Sequence, residues 1–215
     1  MKAVIFDMDG VIINSEPLHQ KVEREIVEEL GGKLSDDDVA SFVGTTDYSM
    51  WSTIKEKFNL EHSVEELIEI KKERFMKEID EIQLVPNFMN FMLTLHKEGY
   101  LMAIASSNNR RIVDAIVNRF ELYKYMKFVI SGEEVKRSKP DPEIFLTAAK
   151  KMNVTPSDCI VIEDATNGVK AAKAAGMKCI GLKNAYTGNQ DLSEADLIIE
   201  NFNELNLDTL KSLIG

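Results

Sequence analysis

Short, continuously hydrophobic segments recur along the chain, and they constrain its fold more than any other feature. They span residues 3–8, 101–106, 128–131, 159–163 and 178–182, with a weaker sixth at 195–199. Most lack the alternation of polar and apolar residues that marks a strand with one wet face, so we expect both faces to be covered. Helix-like patterns separate the segments. This order predicts an α/β fold with a Rossmann-like, three-layer core around a parallel sheet.

One long region interrupts the alternation, because residues 14–80 contain only helix-like patterns. Apolar residues occupy every fourth position between 18 and 30, and the sequence SVEE at 63–66 is a capping box ahead of another apolar stripe. We therefore predict a small, all-helical domain at 14–80, inserted after the first strand. The α/β core is then formed by 1–13 and 81–215.

Composition limits the partners and the compartment. The net charge of −10 argues against a large nucleic-acid footprint and against binding to an acidic membrane surface. No segment approaches transmembrane length, and Asp7 and Asp9 interrupt the first apolar segment before a signal-peptide core could form. Cys159 and Cys179 lie in strand-like segments, which is typical of reduced core thiols. We expect a cytoplasmic monomer with no nucleic-acid or membrane partner.

The first hydrophobic segment ends in two aspartates, Asp7 and Asp9, directly before Gly10. In an extended strand these two side chains point the same way, so their charges repel while both are partly desolvated. Mg²⁺ takes oxygen ligands and would remove that cost. Taken alone, the residues are equally well explained as an Asp-Gly turn.

Polar residues also follow other predicted strands. They are Ser106, Ser107 and Asn108 after the second segment, Lys139 ahead of a predicted helix, and Glu163 and Asp164 after the fourth segment. Each has an ordinary explanation by itself, namely a helix cap, a solvated lysine or a turn. The carboxyl ends of parallel strands, however, meet at one edge of a sheet. Carboxylates, a hydroxyl and a cation gathered there indicate phosphoryl transfer, which depends on positioning and charge neutralisation.

Four segments carry a family resemblance. FDMDGV, ASS, SKPDPEIF and IEDATNGVKAAKAAGM resemble, in order and spacing, the four motifs of the haloacid dehalogenase superfamily. The helical insertion resembles the cap domain of its β-phosphoglucomutase-like branch. The resemblance covers nearly the whole chain, and it implies a hydrolase that acts on a small phosphorylated substrate.

The resemblance also implies roles for individual residues. Asp7 is expected to be the nucleophile and Asp9 the general acid and base, while Ser106 and Lys139 bind the transferred phosphoryl group. The expected ligands of Mg²⁺ are Asp7, Asp9, Glu163 and Asp164, and we expect that Mn²⁺ or Co²⁺ can replace Mg²⁺ there. Dehalogenases of the superfamily lack the second aspartate, because they have no leaving alcohol to protonate. Asp9 therefore favours phosphate-ester chemistry.

The remaining expected positions contact the substrate or its phosphate. They are Gly10, Ser15, His19, Gly44, Thr45, Asp47, Lys71, Ser107 and Asn108. Three of these (Ser15, His19 and Lys71) match positions of the mutase branch. Asp47 differs, because mutases of this branch carry an arginine there that binds the phosphate distant from the metal.

A carboxylate at position 47 would repel a second phosphate, so this position favours a phosphatase over a β-phosphoglucomutase, which remains the alternative. We expect sugar phosphates as substrates, because sugar hydroxyls can form hydrogen bonds with Gly44, Thr45, Thr46 and Asp47. Nucleotides and phosphoglycolate stay open.

Two other classes of protein fit the sequence less well. A receiver domain of a signalling protein also gathers acidic residues, a hydroxyl and a lysine on a parallel sheet, but it has no helical insertion after its first strand. A nucleotide-binding domain would carry a glycine-rich G-x-G-x-x-G or P-loop pattern after a strand, and the sequence contains neither.

Overall fold

The computed structural model describes residues 2–42, 45–184, 188 and 190–214. Its strands are β1 (Ala3–Phe6), β2 (Ile13–Asn14), β3 (Gln83–Leu84), β4 (Leu101–Ala105), β5 (Phe128–Ile130), β6 (Cys159–Glu163), β7 (Lys178–Leu182) and β8 (Leu197–Ile199). All except β2 and β3 form one parallel sheet in the order β5-β4-β1-β6-β7-β8. The six predicted strands are confirmed. The first strand lies between β4 and β6, so the ends of these three strands are neighbours.

Helices cover both faces of the sheet. Those in the described residues are α1 (Glu16–Glu29), α2 (Asp36–Phe42), α3 (Asp47–Phe58), α4 (Val64–Lys77), α5 (Phe88–Lys97), α6 (Arg110–Arg119), α7 (Glu143–Met152), α8 (Thr166–Ala174) and α9 (Leu207–Ile214). Alternate residues of β1 point to different cores: Phe6 packs edge-to-face on Phe88 of α5, whereas Ile5 belongs to the cluster that contains Phe145 of α7. Both faces of β1 are therefore buried, which confirms the three-layer core and explains the continuous hydrophobic segments.

Local signals in the sequence set several helix ends. The capping box before α4 is present, with the Ser63 side chain accepting from the Glu66 N–H and the Glu66 carboxylate accepting from the Ser63 N–H. Beyond α8 the chain turns at Gly176, whose φ of +71° favours glycine. These ends agree with the sequence prediction.

The four helices α1–α4 lie between β2 and β3. These two short strands pair antiparallel, with Ile13 opposite Leu84, so the chain leaves the core and returns to it side by side. A two-residue strand carries no periodicity, and the sequence therefore did not predict this ribbon. The helices bury their own apolar residues, among them Trp51, Ile54 and Leu67.

Both cysteines are buried, and neither forms a disulfide, which confirms the prediction of core thiols. Within the part of the chain that the structure describes, no helix is long and apolar enough to cross a membrane.

Candidate active site

The predicted site residues that follow β1, β4 and β6 meet at one edge of the sheet. Asp7 directly follows β1, and its N–H still donates to the carbonyl of Ile162 at 3.0 Å, so the strand pairing fixes its position. A cavity of about 310 Å³ opens here. Its walls include Asp7, Asp9, Lys139, Glu163, Asp164 and Asn184.

Lys139 links two of these strand ends. Its ammonium nitrogen lies 2.5 Å from Asp7 Oδ1 and 2.7 Å from Glu163 Oε1, and its side chain is almost fully buried. Burial alone would lower the pKa of Lys139, but the two carboxylates raise it above its usual range. Lys139 is therefore a fixed positive charge beside the proposed nucleophile, not a solvated surface lysine.

Asp9 accepts hydrogen bonds from two separate segments, the residue before α1 and the loop after β4. Ser15 Oγ donates to its Oδ1 at 2.5 Å, and Asn108 Nδ2 donates to its Oδ2 at 2.5 Å. Burial raises the pKa of Asp9, although both hydrogen bonds act in the opposite direction. A raised pKa favours the protonated carboxyl, which is the form that an acid catalyst needs.

The polar residues after β4 have different surroundings. Ser107 and Asn108 line cavities, whereas Ser106 is fully buried and its Oγ accepts a hydrogen bond from the Asn108 N–H at 3.1 Å. This arrangement orients the loop after β4. The predicted phosphoryl contact of Ser106 stays a prediction.

Gly10 allows the first loop to approach Asp164. Its φ is +71°, and a Cβ at this position would lie 1.8 Å from Asp164 Oδ2. Any other residue would push the Asp164 carboxylate away from the loop that carries Asp7 and Asp9.

The acidic residues repel one another where they meet. Burial raises the pKa of Asp7 to about 7, and the nearby Glu163 and Asp9 act in the same direction. Burial and then the charge of Glu163 hold the pKa of Asp164 well above its usual range. The carboxyl groups of Asp7, Asp9, Glu163 and Asp164 thus all lie near the ammonium group of Lys139.

These four carboxylates do not form a finished metal cage. Among the described residues, no three Asp, Glu, His or Cys side chains are arranged to hold a metal ion. The reason is local, because Lys139 lies between Asp7 and Glu163 while Asp9 is turned towards Ser15 and Asn108. The chemistry of the donors nevertheless fits Mg²⁺, which prefers oxygen ligands and would favour the ionised form of crowded carboxylates. The predicted ligand set stays a prediction.

Three predicted residues of the helical insertion, His19, Asp47 and Lys71, line two adjoining cavities of about 400 and 470 Å³. His19 lies on Phe75 with ring centroids 4.3 Å apart, and its Nδ1 is buried without a hydrogen-bond partner. Burial, with the nearby Lys71, lowers the pKa of His19 to about 3, so its ring is neutral. Thr45 lines the larger cavity, and Gly44 lies outside the described residues.

Lys71 is engaged by two carboxylates. Its ammonium nitrogen lies 2.6 Å from Asp47 Oδ1 and 2.7 Å from Glu23 Oε1. Asp47 therefore neutralises the cation that the family resemblance assigned to substrate binding. The sequence indicated neither contact.

Sequence reasoning missed four residues near the site. They are Glu16 and Glu23 on α1, Gly168 on α8 and Asn184 after β7. Asn184 Nδ2 donates to the carbonyl of Gly10 at 2.8 Å, and a Cβ at Gly168 would lie 1.7 Å from Glu163 Oε1. Two features of the sequence could have indicated two of these residues. Glu23 comes one helical turn after His19, and Asn184 follows a predicted strand in the same way as the other site residues.

Comparison with known proteins agrees with this fold and site. The family model of haloacid dehalogenase-like hydrolases matches residues 4–182, and the chain belongs to this family. The phosphorylated carbohydrates phosphatase of Thermotoga maritima is 31% identical over 202 residues, which cover 92% of this chain and 93% of that protein.

Solved structures show the same architecture over the whole chain. A family IA, variant 3 hydrolase of Entamoeba histolytica superposes with a TM-score of 0.85, at 28% identity, and covers 100% of this chain and 99% of its own. The β-phosphoglucomutase of Clostridium difficile superposes with a TM-score of 0.79, at 26% identity, and covers 100% of this chain and 97% of its own. The helical insertion is therefore part of the similarity to both.

Proposed function

We propose that this protein is a Mg²⁺-dependent phosphatase that hydrolyses sugar phosphates and related small metabolites through an aspartyl-phosphate intermediate. The observation that carries this proposal is the contact between Asp7 and Lys139, at 2.5 Å, in a cavity that also presents the Asp9 carboxyl group. A nucleophile, a fixed cation and a second carboxyl group are what two-step phosphoryl transfer requires.

The proposed steps use these groups in turn. One oxygen of Asp7 attacks the phosphorus atom while Asp9 protonates the departing alcohol oxygen. Asp9, now ionised, takes a proton from the water molecule that attacks the aspartyl phosphate, which returns Asp7 and releases inorganic phosphate. Lys139 neutralises charge on the transferred group throughout, and Ser106 is proposed to contact the same group.

Mg²⁺ would be held by Asp7, the backbone of Asp9 and Asp164, with Glu163 as a direct or indirect partner. When bound, it would supply positive charge to the nucleophile and to the phosphoryl oxygens. We expect Mn²⁺ or Co²⁺ to substitute, because both accept carboxylate oxygens.

The helical insertion is proposed to act as a cap that holds the rest of the substrate, with its boundaries at residues 14–80. Two observations support a phosphatase rather than a mutase. The ammonium nitrogen of Lys71 lies 2.6 Å from Asp47 Oδ1, and it lies 2.7 Å from Glu23 Oε1, so two carboxylates already bind it. A bisphosphate intermediate would meet this negative wall. The β-phosphoglucomutase activity remains the second candidate, because the similar Clostridium difficile structure carries that name.

The proposal is tested by incubating the purified protein with Mg²⁺ and a panel of phosphorylated sugars, sugar alcohols, nucleotides and glycolate. Release of inorganic phosphate, abolished by EDTA and by Asp7→Asn, is the expected result. β-Glucose 1-phosphate is assayed separately for conversion to the 6-phosphate. Fast isomerisation with little phosphate release would instead establish the mutase.

A further inference from the structure

A second buried charge cluster lies in the helical insertion, and the proposed chemistry does not use it. We call it the Lys71 cluster: Lys71 on α4, Glu23 on α1 and Asp47 at the start of α3. Lys71 and Glu23 each expose only 7% of their side chains, whereas Asp47 exposes 43%. Two carboxylates therefore bind one ammonium group.

The cluster shares a cavity with the proposed acid catalyst. The cavity of about 470 Å³ is lined by Asp9 and by all three members of the Lys71 cluster. A substrate whose leaving oxygen lies at Asp9 would extend the rest of its structure into this space. The cluster is therefore placed to contact the end of the substrate distant from the phosphate.

The wall around this end is negative. The neutral ring of His19 contributes no positive charge, and Glu16 contributes a further carboxyl group to the same cavity. Burial alone would lower the pKa of Lys71, but Glu23 and Asp47 raise it, so the ammonium group stays charged and bound to both. Carboxylate oxygens accept hydrogen bonds from hydroxyl groups and repel anions.

We propose that Glu23 is a specificity-determining residue. Together with Asp47 it outweighs the charge of Lys71, so the cavity accepts a phosphate monoester whose other end is an uncharged polyol and rejects one that carries a second phosphate or a carboxylate. This inference rests on the proposed function, because it concerns the group attached to the transferred phosphate. The sequence did not indicate the contact between Glu23 and Lys71, because the two residues are 48 positions apart and lie on different helices.

A purely structural role is the competing explanation. Buried ion pairs can hold helices together without touching a ligand, and removing one partner is then destabilising. Such a role would affect the hydrolysis of all substrates alike. A specificity role changes the ratio between substrates that differ only in charge.

Glucitol 6-phosphate and 6-phosphogluconate provide that comparison, because they differ at the distant end only, by a hydroxymethyl group against a carboxylate. We expect the wild-type protein to prefer the first by roughly 100-fold in kcat/KM. Glu23→Gln and Asp47→Asn should each lower this ratio by about tenfold, and the double variant by more. Lys71→Gln should raise it.

Glu28→Gln, on the exposed side of the same helix, is the matched control and should leave the ratio unchanged. Glutamine can still accept from Lys71, and the Asp47 side chain is half-exposed, so Glu23→Gln and Asp47→Asn should fold. A wild-type ratio near one, or variants that slow both substrates equally, would overturn the inference while leaving the phosphatase proposal intact.

Failure of the proposed function gives a different result, in which neither compound releases phosphate. The Kd of each compound is then measured by calorimetry on the Asp7→Asn variant, with and without the Glu23→Gln substitution, and the two Kd values are compared. Tighter binding of glucitol 6-phosphate than of 6-phosphogluconate to Asp7→Asn, with a smaller difference once Glu23→Gln is added, would support the charge selectivity of the cavity. Equal binding, or no binding of either compound, would overturn it.

Discussion

The ammonium nitrogen of Lys139 lies 2.5 Å from Oδ1 of Asp7, a residue 132 positions earlier in the chain. The same nitrogen lies 2.7 Å from Glu163 Oε1, so a single cation connects the ends of β1 and β6. Because Lys139 is buried with both carboxylates, its charge is not screened by solvent as a surface lysine would be.

Replacing this cation should abolish activity. Lys139→Met removes the charge that we propose faces the transferred phosphoryl group, and we expect kcat for the preferred sugar phosphate to fall by roughly 10³. Phosphate release at saturating Mg²⁺ measures this loss, with circular dichroism as the test of folding. Lys136→Met, at an exposed position of the same loop, should stay within a factor of two or so of wild type. A folded Lys139→Met variant with near-normal kcat would contradict the assignment.

Asp9→Asn separates acid catalysis from nucleophilic attack. An alcohol must be protonated as it leaves, whereas p-nitrophenolate leaves without help. We therefore expect kcat to fall by about 10² to 10⁴ with a sugar phosphate and far less with p-nitrophenyl phosphate. Asp37→Asn, on the exposed surface of α2, is the control. Equal losses with both substrates would mean that Asp9 does not act on the leaving group.

The crowded carboxylates make the stability of the metal-free protein depend on pH. The pKa of Asp7 is about 7 in the folded state and 3.8 ordinarily, so the folded protein binds this proton more tightly than the unfolded chain. That contribution is fully present below about pH 4 and is lost as the pH rises through 7, by at most on the order of 4 kcal/mol. Asp9 and Asp164, whose pKa values are also raised, act in the same direction.

Urea unfolding in EDTA at about pH 5 and about pH 7.5 measures the difference in the free energy of unfolding. We expect the wild-type protein to be more stable at the lower pH, and Asp7→Asn to reduce the difference, because asparagine does not ionise. Mg²⁺ should stabilise the wild type at the higher pH more than it stabilises Asp7→Asn. A pH difference that is identical in the two proteins would refute the raised pKa of Asp7.

The Gly168→Ala substitution tests whether the Glu163 carboxylate packs against α8 as the structure shows. Alanine favours a helix by about 1 kcal/mol over glycine, so helix propensity predicts that Gly168→Ala stabilises α8. The structure predicts the opposite, because the new Cβ would lie 1.7 Å from Glu163 Oε1 and push that carboxylate away from Lys139. We expect a loss of roughly 1–3 kcal/mol in the free energy of unfolding, together with lower activity.

Lys170→Ala is the control on the exposed side of the same helix, and it should change stability little. Thermal melting and phosphate release follow both variants in parallel. If Gly168→Ala melts at a higher temperature and keeps full activity, Glu163 is not held where the structure places it.

The sequence alone determined the architecture and the approximate place of the site. Continuous hydrophobic segments predicted the six strands, the capping box predicted the start of α4, and Gly176 predicted the end of α8; the structure confirms all three. Asp7, Lys139 and Asp164 were placed at one edge because parallel strands share the direction in which they end. These signals are local or periodic, so they can be read from neighbouring residues.

Tertiary structure decided which charges meet. The sequence contained Glu23, Asp47 and Lys71 on three separate helices, and only their packing brings two carboxylates to one ammonium group. In the same way, the contact between Lys139 and Glu163 joins segments that no periodic pattern connects. Such pairings depend on distances of a few ångströms between elements far apart in the chain. Hydrophobic patterns specify which face of an element is buried, but not which side chain of another element it meets there.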